Sequence, residues 1–312
     1  MKNKQFKTLD EQIEILRHKG LIIKDIEYAK QVLLRESYFF LSGYRHLFMN
    51  DDVPKTYIEG STFEELYSLF LFDRSFRNII FKNLLIIENN TKSIIAYQLS
   101  KKYGYKESEY LRPANFDTTR ERYGQVNDLI KKMKRQIRAN GPQHSATMHY
   151  ISNYGYIPLW VLVKVLSFGI VSELYSILKI EDRIAIAKSY DLNHETYTGY
   201  LPLLANYRNL CAHEDILFEN RTNRRIDDTI FHRLLKVEEV DGEYKYGKND
   251  LFALIIIMRQ LLSATEVKNM VIEIDRELSN LSMNLNSFEM ERVLNRMGFP
   301  ANWKDIANIE RG

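Results

Sequence analysis

The chain has 312 residues, 45% hydrophobic and 27% charged, which suffices for a real core in one large domain or two modest ones and excludes a disordered polymer. Its net charge of +3 permits attraction to a polyanion without demanding it, and a single cysteine, Cys211, excludes an intrachain disulfide and a cysteine-rich zinc site. Only 13 Gly and 6 Pro against 20 Tyr and 16 Phe argue for few tight turns and long helices.

The opening MKNKQFKTLDEQ lacks the apolar core of a signal peptide, so the expected location is a reducing cytoplasm. Residues 8–50 read as two or three short helices: Leu9, Ile13 and Leu16 keep helical spacing, Gly20 breaks the first, and Ile26 to Leu34 starts another. Asp51, Asp52 and Pro54 then mark a loop, placing a subdomain boundary at 1–52. Thr62 with Glu65 fits a capping box, and apolar residues from Phe63 to Ile94 recur three and four apart, which predicts a long helix ending near Gly104. A helical core is expected over 53–285 and a C-terminal tail over 286–312.

Within that core, residues 119–139 predict a basic helix and 158–178 a buried one in which Gly169 allows close packing or a bend. Ser145 to Val163 carries no Asp, Glu, Lys or Arg, but His149, Asn153, Gly155 and Pro158 interrupt it; it falls short of a membrane span and reads as a loop entering the buried helix. Further helices are expected over 195–217 and 250–280. Between them LLKVEEVDGEYKYG, 234–247, alternates around Asp241-Gly242 and predicts one short β-hairpin. The fold class is therefore all-α with a small hairpin insertion.

The segment LPLLANYRNLCAHED is the candidate for chemistry. On a helix turning about 100° per residue, Tyr207, Cys211 and Leu210 fall within about 80° of Leu203 and form an apolar stripe. The opposite side holds Arg208 at about 140°, the alanines 212 and 205 near 180–200°, Asn209 at about 240° and His213 at about 280°. A guanidinium offers a planar fork for phosphate oxygens, and an imidazole both takes and gives a proton near neutral pH. Asn209, one turn before His213, is placed to orient the imidazole. The bare Arg-x4-His spacing is common by chance, and its bland reading is that Arg208 pairs with a carboxylate while His213 caps a hydrogen-bond network.

Longer blocks add to it. RNLCAH at 208–213 resembles the Arg-x4-His signature of HEPN domains. Its surroundings, TLDEQIEILRHKGLII, ESYFFLSGYRHLF at 36–48, FDRSFRNIIFKNLLIIENN at 72–90, MHYISNYGYIPLWVLVKVLSFGIVSELY at 148–175 and MGFPANW at 297–303, resemble the abortive-infection family of AbiD and AbiF type. The chain departs from that family at Ile216 and Lys92, where arginine is usual.

The resemblance implies an HEPN-like helical bundle and a metal-independent endoribonuclease without cofactor, acting as an abortive-infection or toxin effector. In it the ribose 2′-hydroxyl attacks the adjacent phosphate and leaves a cyclic phosphate, with His213 as general acid or base and Arg208 stabilising charge on the phosphoryl oxygens. It further implies a homodimer with a composite site, and RNA as substrate and as a structured non-coding regulator. Glu88 stands either beside Arg208, orienting it, or as an exposed surface carboxylate. The candidate RNA surface is KKMKRQIR, with Lys131, Lys132, Lys134, Arg135 and Arg138 on one helix; its plain alternative is a solvated face. A non-catalytic RNA-binding or antitoxin-like scaffold is the alternative function. His144 and His149, five apart across an expected loop, lack the spacing of a zinc site, and Asp73, Arg74 and Arg77 read as a structural ion-pair network.

Overall fold

The computed structural model describes residues 5–50, 55–140 and 144–309; the expected loop at Asp51, Asp52 and Pro54 lies outside them. The first helices are α1 (Leu9–His18), α2 (Ile26–Glu36) and α3 (Tyr38–Gly43). Thr8 and Glu11 form a capping box on α1, Asp25 caps α2, and Gly20 turns the chain between them at φ +92°. This N-terminal unit is tied to the segment that leads into the next long helix: Ile22 N–H donates to Ser61 O at 2.9 Å, and Tyr57 N–H to Lys19 O at 2.7 Å.

The axis of the molecule is α4 (Phe63–Tyr103), 41 residues and about 60 Å long. Its start is the expected capping box, Thr62 with Glu65, and its end is Gly104 at φ +89°. Glu65 also accepts from the amides of Asn286 and Ser287, so one carboxylate caps α4 and holds the C-terminal segment. Around α4 lie α5 (Glu107–Tyr110), α6 (Tyr123–Asn140), α7 (Ser145–Tyr154), α8 (Leu159–Val165), α9 (Phe168–Ser176), α10 (Ile180–Ala187) and α11 (His194–Ala212). The chain closes with α12 (Ile230–Leu234), α13 (Leu251–Leu261), α14 (Ala264–Ser282) and α15 (Met290–Met297). In α13, every residue from Leu251 to Met258 is apolar and buried, as an all-round apolar helix requires.

The hairpin is present as β1 (Glu239–Val240) paired antiparallel with β2 (Glu243–Tyr244), and Asp241 and Gly242 both take positive φ at its turn. The fold is all-α with this short insertion. Four expected segments differ. Residues 158–178 break into α8 and α9 at Leu166–Ser167, where Ser167 caps α9; a Cβ at Gly169 would meet only Ser167 Oγ, at an ordinary 3.9 Å, so no close packing depends on that glycine. Residues 250–280 break at Leu262–Ser263 because Ser263 and Glu266 form a capping box. Ser145 to Tyr154 is a helix rather than a loop, stopped by Gly155 in the left-handed region. The segment expected as a tail contains α15 and a 3-10 turn, Trp303–Ala307, with Phe299, Trp303 and Ile306 buried in the same core as the N-terminal helices.

Candidate functional site

The expected helix over 195–217 stops at Ala212, and His213 is its C-cap with φ −97°. Glu214 follows at φ +57°, and Asp215 N–H reaches back to Leu210 O at 3.1 Å, a Schellman closure. A non-glycine residue in this left-handed position carries strain of about 1–2 kcal/mol, which surrounding contacts must offset. Those contacts come from α4. Asp73, fully buried, accepts from Leu217 N–H at 3.0 Å, Phe218 N–H at 2.7 Å and Tyr44 Oη at 2.8 Å. Arg77 donates to Asp73 at 2.5 Å and to Asp215 O at 3.3 Å. Burial pushes the Asp73 carboxyl above its usual range, while Arg77 and the two amides pull it back.

The cluster expected from Asp73, Arg74 and Arg77 is therefore a structural network, but it divides. Arg74 turns away and pairs with both oxygens of Glu36, at 3.1 and 2.6 Å. Sequence reasoning missed that Asp73, Arg77 and Tyr44 hold the loop after His213; nothing local signals a contact spanning 144 residues.

Farther along α4, Glu88 is buried and meets Arg208, whose Nε donates to Glu88 Oε2 at 3.2 Å. Its other oxygen accepts from Lys92 Nζ at 2.6 Å. Glu88 is thus not an exposed surface carboxylate, and Lys92 is its second partner. The Arg208 guanidinium also lies over the Phe81 ring, 5.7 Å from its centroid. Its terminal Nη groups bond to no described residue, so the fork stays open toward solvent.

His213 and Asn209 are exposed. The two are linked by the main chain, His213 N–H to Asn209 O at 3.0 Å, and no side-chain bond between Asn209 and the imidazole is made in the described residues. Of the expected apolar stripe, Leu203, Tyr207 and Cys211 are buried, and burial pushes the Cys211 thiol up to about 12, which disfavours the thiolate. Of the two alanines expected on the open face, Ala212 is exposed but Ala205 is buried at 6%. Arg208 and His213, five residues apart, diverge by about 140° around the helix and about 7.5 Å along it.

A cavity of about 590 Å³ opens at the residue after His213, lined by Glu214, Asp215 and Ile216 with Arg45, Arg74 and Arg77 across from them. Ile216 packs against Gly43, where an added Cβ would lie 2.5 Å from its Cδ1.

The basic run lies on α6, with Met133 buried inward. Lys132 pairs with Glu173 at 2.8 Å and Lys131 with Asp128 at 3.6 Å, while Lys134, Arg135 and Arg138 are exposed without a carboxylate partner among the described residues. His144 is the N-cap of α7 and His149 lies within it, and among the described residues no group of three His, Cys, Asp or Glu is placed to hold a metal. No helix there is long and apolar enough to cross a membrane.

No curated protein and no solved structure matches the chain. The sequence model of the family described as Abi-like protein matches residues 31–219, more than half of the chain, from within α2 through Asp73, Glu88, Arg208 and His213 to just past Phe218. That description associates the chain with abortive infection. The chain belongs to the Abi-like protein family.

Proposed function

We propose that the protein is an HEPN-type endoribonuclease that acts as the effector of an abortive-infection or toxin system. The observation that carries the reading is the Glu88–Arg208 bond: a buried carboxylate holds the guanidinium by Nε and leaves its Nη groups unbonded among the described residues, about 1.4 turns before an exposed imidazole. In the proposed reaction a bond forms from the ribose 2′-oxygen to phosphorus and the bond from phosphorus to the 5′-oxygen breaks. The 2′-hydroxyl proton passes to a base, and the leaving 5′-oxygen takes up a proton. His213 supplies acid or base, and Arg208 neutralises charge gathering on the phosphoryl oxygens.

The divergence of Arg208 and His213 supports a site completed by a second copy of the chain, each copy offering one helix end to a shared groove. RNA is then the substrate and, through a structured non-coding RNA, a candidate regulator. Lys134, Arg135 and Arg138 of α6 offer unpaired positive charge for its backbone.

The test is incubation of the parent, Arg208→Ala and His213→Ala chains with RNA in EDTA. Cleavage lost only in the variants supports the enzyme. A parent that binds RNA and never cuts it, whatever RNA or phage trigger is added, favours a non-catalytic scaffold.

A further inference from the structure

A second cavity, of about 540 Å³, lies between α4 and α8 and plays no part in the chemistry above. Its walls include Asn89, Tyr97, Lys101, Tyr105, Trp160 and Lys164. Lys92 also lines it, and Lys92 shares Glu88 with Arg208, so the cavity and the candidate site meet in one ion-pair network.

Its composition is selective. Among the described residues no carboxylate lines it, and Lys101 and Lys164 have no acidic partner. Three large rings stay open to solvent: Tyr97 is 64% exposed, Trp160 45% and Tyr105 43%. Large apolar groups left exposed together are a cost unless something covers them.

The rings continue beyond the cavity. Trp160 lies 6.2 Å from Tyr105, which lies 5.5 Å from Tyr156, and Tyr154 follows at 6.2 Å. Their planes are inclined by 36–55°, so they do not stack face to face on one another. Lys106 adds a cation beside this row, 5.6 Å from the Tyr156 ring.

We infer that this aromatic cavity binds unpaired ribonucleotides, whose bases stack on Trp160, Tyr105 and Tyr97 while Lys101 and Lys164 meet the phosphates. Alternating rings and unpaired lysines match the two faces of a single strand, an apolar base and an anionic backbone, and stacking contributes about 1–3 kcal/mol per base. A duplex hides its base faces and gains little here. The inference rests on the RNA reading of the Arg208–His213 site and deepens it: the substrate class is single-stranded RNA, held beside the cut.

The chain has two tryptophans, and the other, Trp303, is buried at 2%, so emission changes on binding report Trp160. The experiment titrates the His213→Ala chain, which leaves its probe uncut, with a single-stranded oligoadenylate of about ten nucleotides, a length within the usual range of such sites. Expected are saturable quenching that weakens with salt, little quenching by the same strand annealed to its complement, and affinity reduced at least about fivefold by Tyr97→Ala or Lys101→Glu. Both substitutions replace exposed side chains and are expected to melt like the parent. Binding without quenching, or affinity unchanged in both variants, overturns the cavity as the stacking site. Cleavage by the parent is scored separately, so a chain that cuts but does not quench sinks this inference alone, and one that quenches but never cuts sinks the nuclease alone.

Discussion

Glu88 and Arg208, 120 positions apart in sequence, are joined by a 3.2 Å hydrogen bond in which a buried carboxylate of α4 receives the guanidinium of α11. The carboxylate serves two cations, so its removal has two consequences that separate experimentally. Glu88→Ala leaves Lys92 buried without a partner and is expected to cost about 3–5 kcal/mol of stability. Replacing both residues, Glu88→Met with Lys92→Met, removes the charge pair together and should recover most of that loss. Arg208 remains untethered in the double variant, so RNA cleavage stays depressed although thermal unfolding approaches the parent's. Full recovery of cleavage in the double variant contradicts a positioning role for Glu88.

Asp73 acts on the other half of the pair. Its carboxylate fixes the amides of Leu217 and Phe218, and Arg77 beside it reaches Asp215 O, so the strained turn at Glu214 is held from α4. Asp73→Asn presents an amide group to donors that need an acceptor, and unmatched buried donors cost about 1–3 kcal/mol each. Hydrogen exchange of the peptide spanning 213–220 should accelerate strongly while that of α13 changes little. Equal protection of the 213–220 peptide in both proteins would show that the network does not hold the loop.

Gly43 gives a steric test of the same loop. In Gly43→Ala the new Cβ would meet Ile216 Cδ1 at 2.5 Å, an overpacking expected to cost about 1–3 kcal/mol. Ile216→Val deletes the atom in the way, so the double variant should be more stable than Gly43→Ala alone, with a coupling of at least about 0.5 kcal/mol in a double-mutant cycle. Additive effects contradict the contact.

Stability should fall in mild acid through His232. The ring is buried; Nδ1 accepts from Thr229 N–H at 3.0 Å and Nε2 lies 2.9 Å from Gly247 O, which assigns a neutral imidazole with its proton on Nε2. Burial pushes its pKa below the usual 6.5, with Lys248 acting in the same sense and Asp228 opposing. As pH drops through 6.5 the unfolded chain takes up a proton that the folded chain refuses, so stability is lost from there down toward the folded-state value. Melting temperature followed from neutral to mildly acid pH should decline less steeply in His232→Gln, even if that variant melts lower at neutral pH. A parental slope in the variant contradicts the assignment.

What the sequence revealed was local. Thr62 with Glu65 and Gly104 bound α4 correctly because caps act within one turn, and Asp241-Gly242 marked the hairpin because only such residues accept its turn. The end of α11 was misread for the same reason inverted: the left-handed position after His213 is occupied by Glu214, not the glycine that signals a stop. Ser263 and Glu266 were a legible capping box hidden by the apolar run on both sides of it. The partners of the candidate pair were not legible in spacing, since Glu88 and Asp73 reach α11 and its loop only after α4 and α11 pack. The helical character of Ser145 to Tyr154 was masked by its lack of charges, which gives no amphipathic contrast.

The most direct measurement is the chemical identity of the RNA ends. Products made by the parent chain in EDTA are analysed by mass spectrometry beside those of His213→Ala, once the two chains are shown to melt alike, as an exposed residue at a helix end should allow. Fragments ending in a 2′,3′-cyclic phosphate from the parent and none from the variant are the expected result. Identical fragments from both chains, or fragments ending in a free 3′-hydroxyl, contradict it.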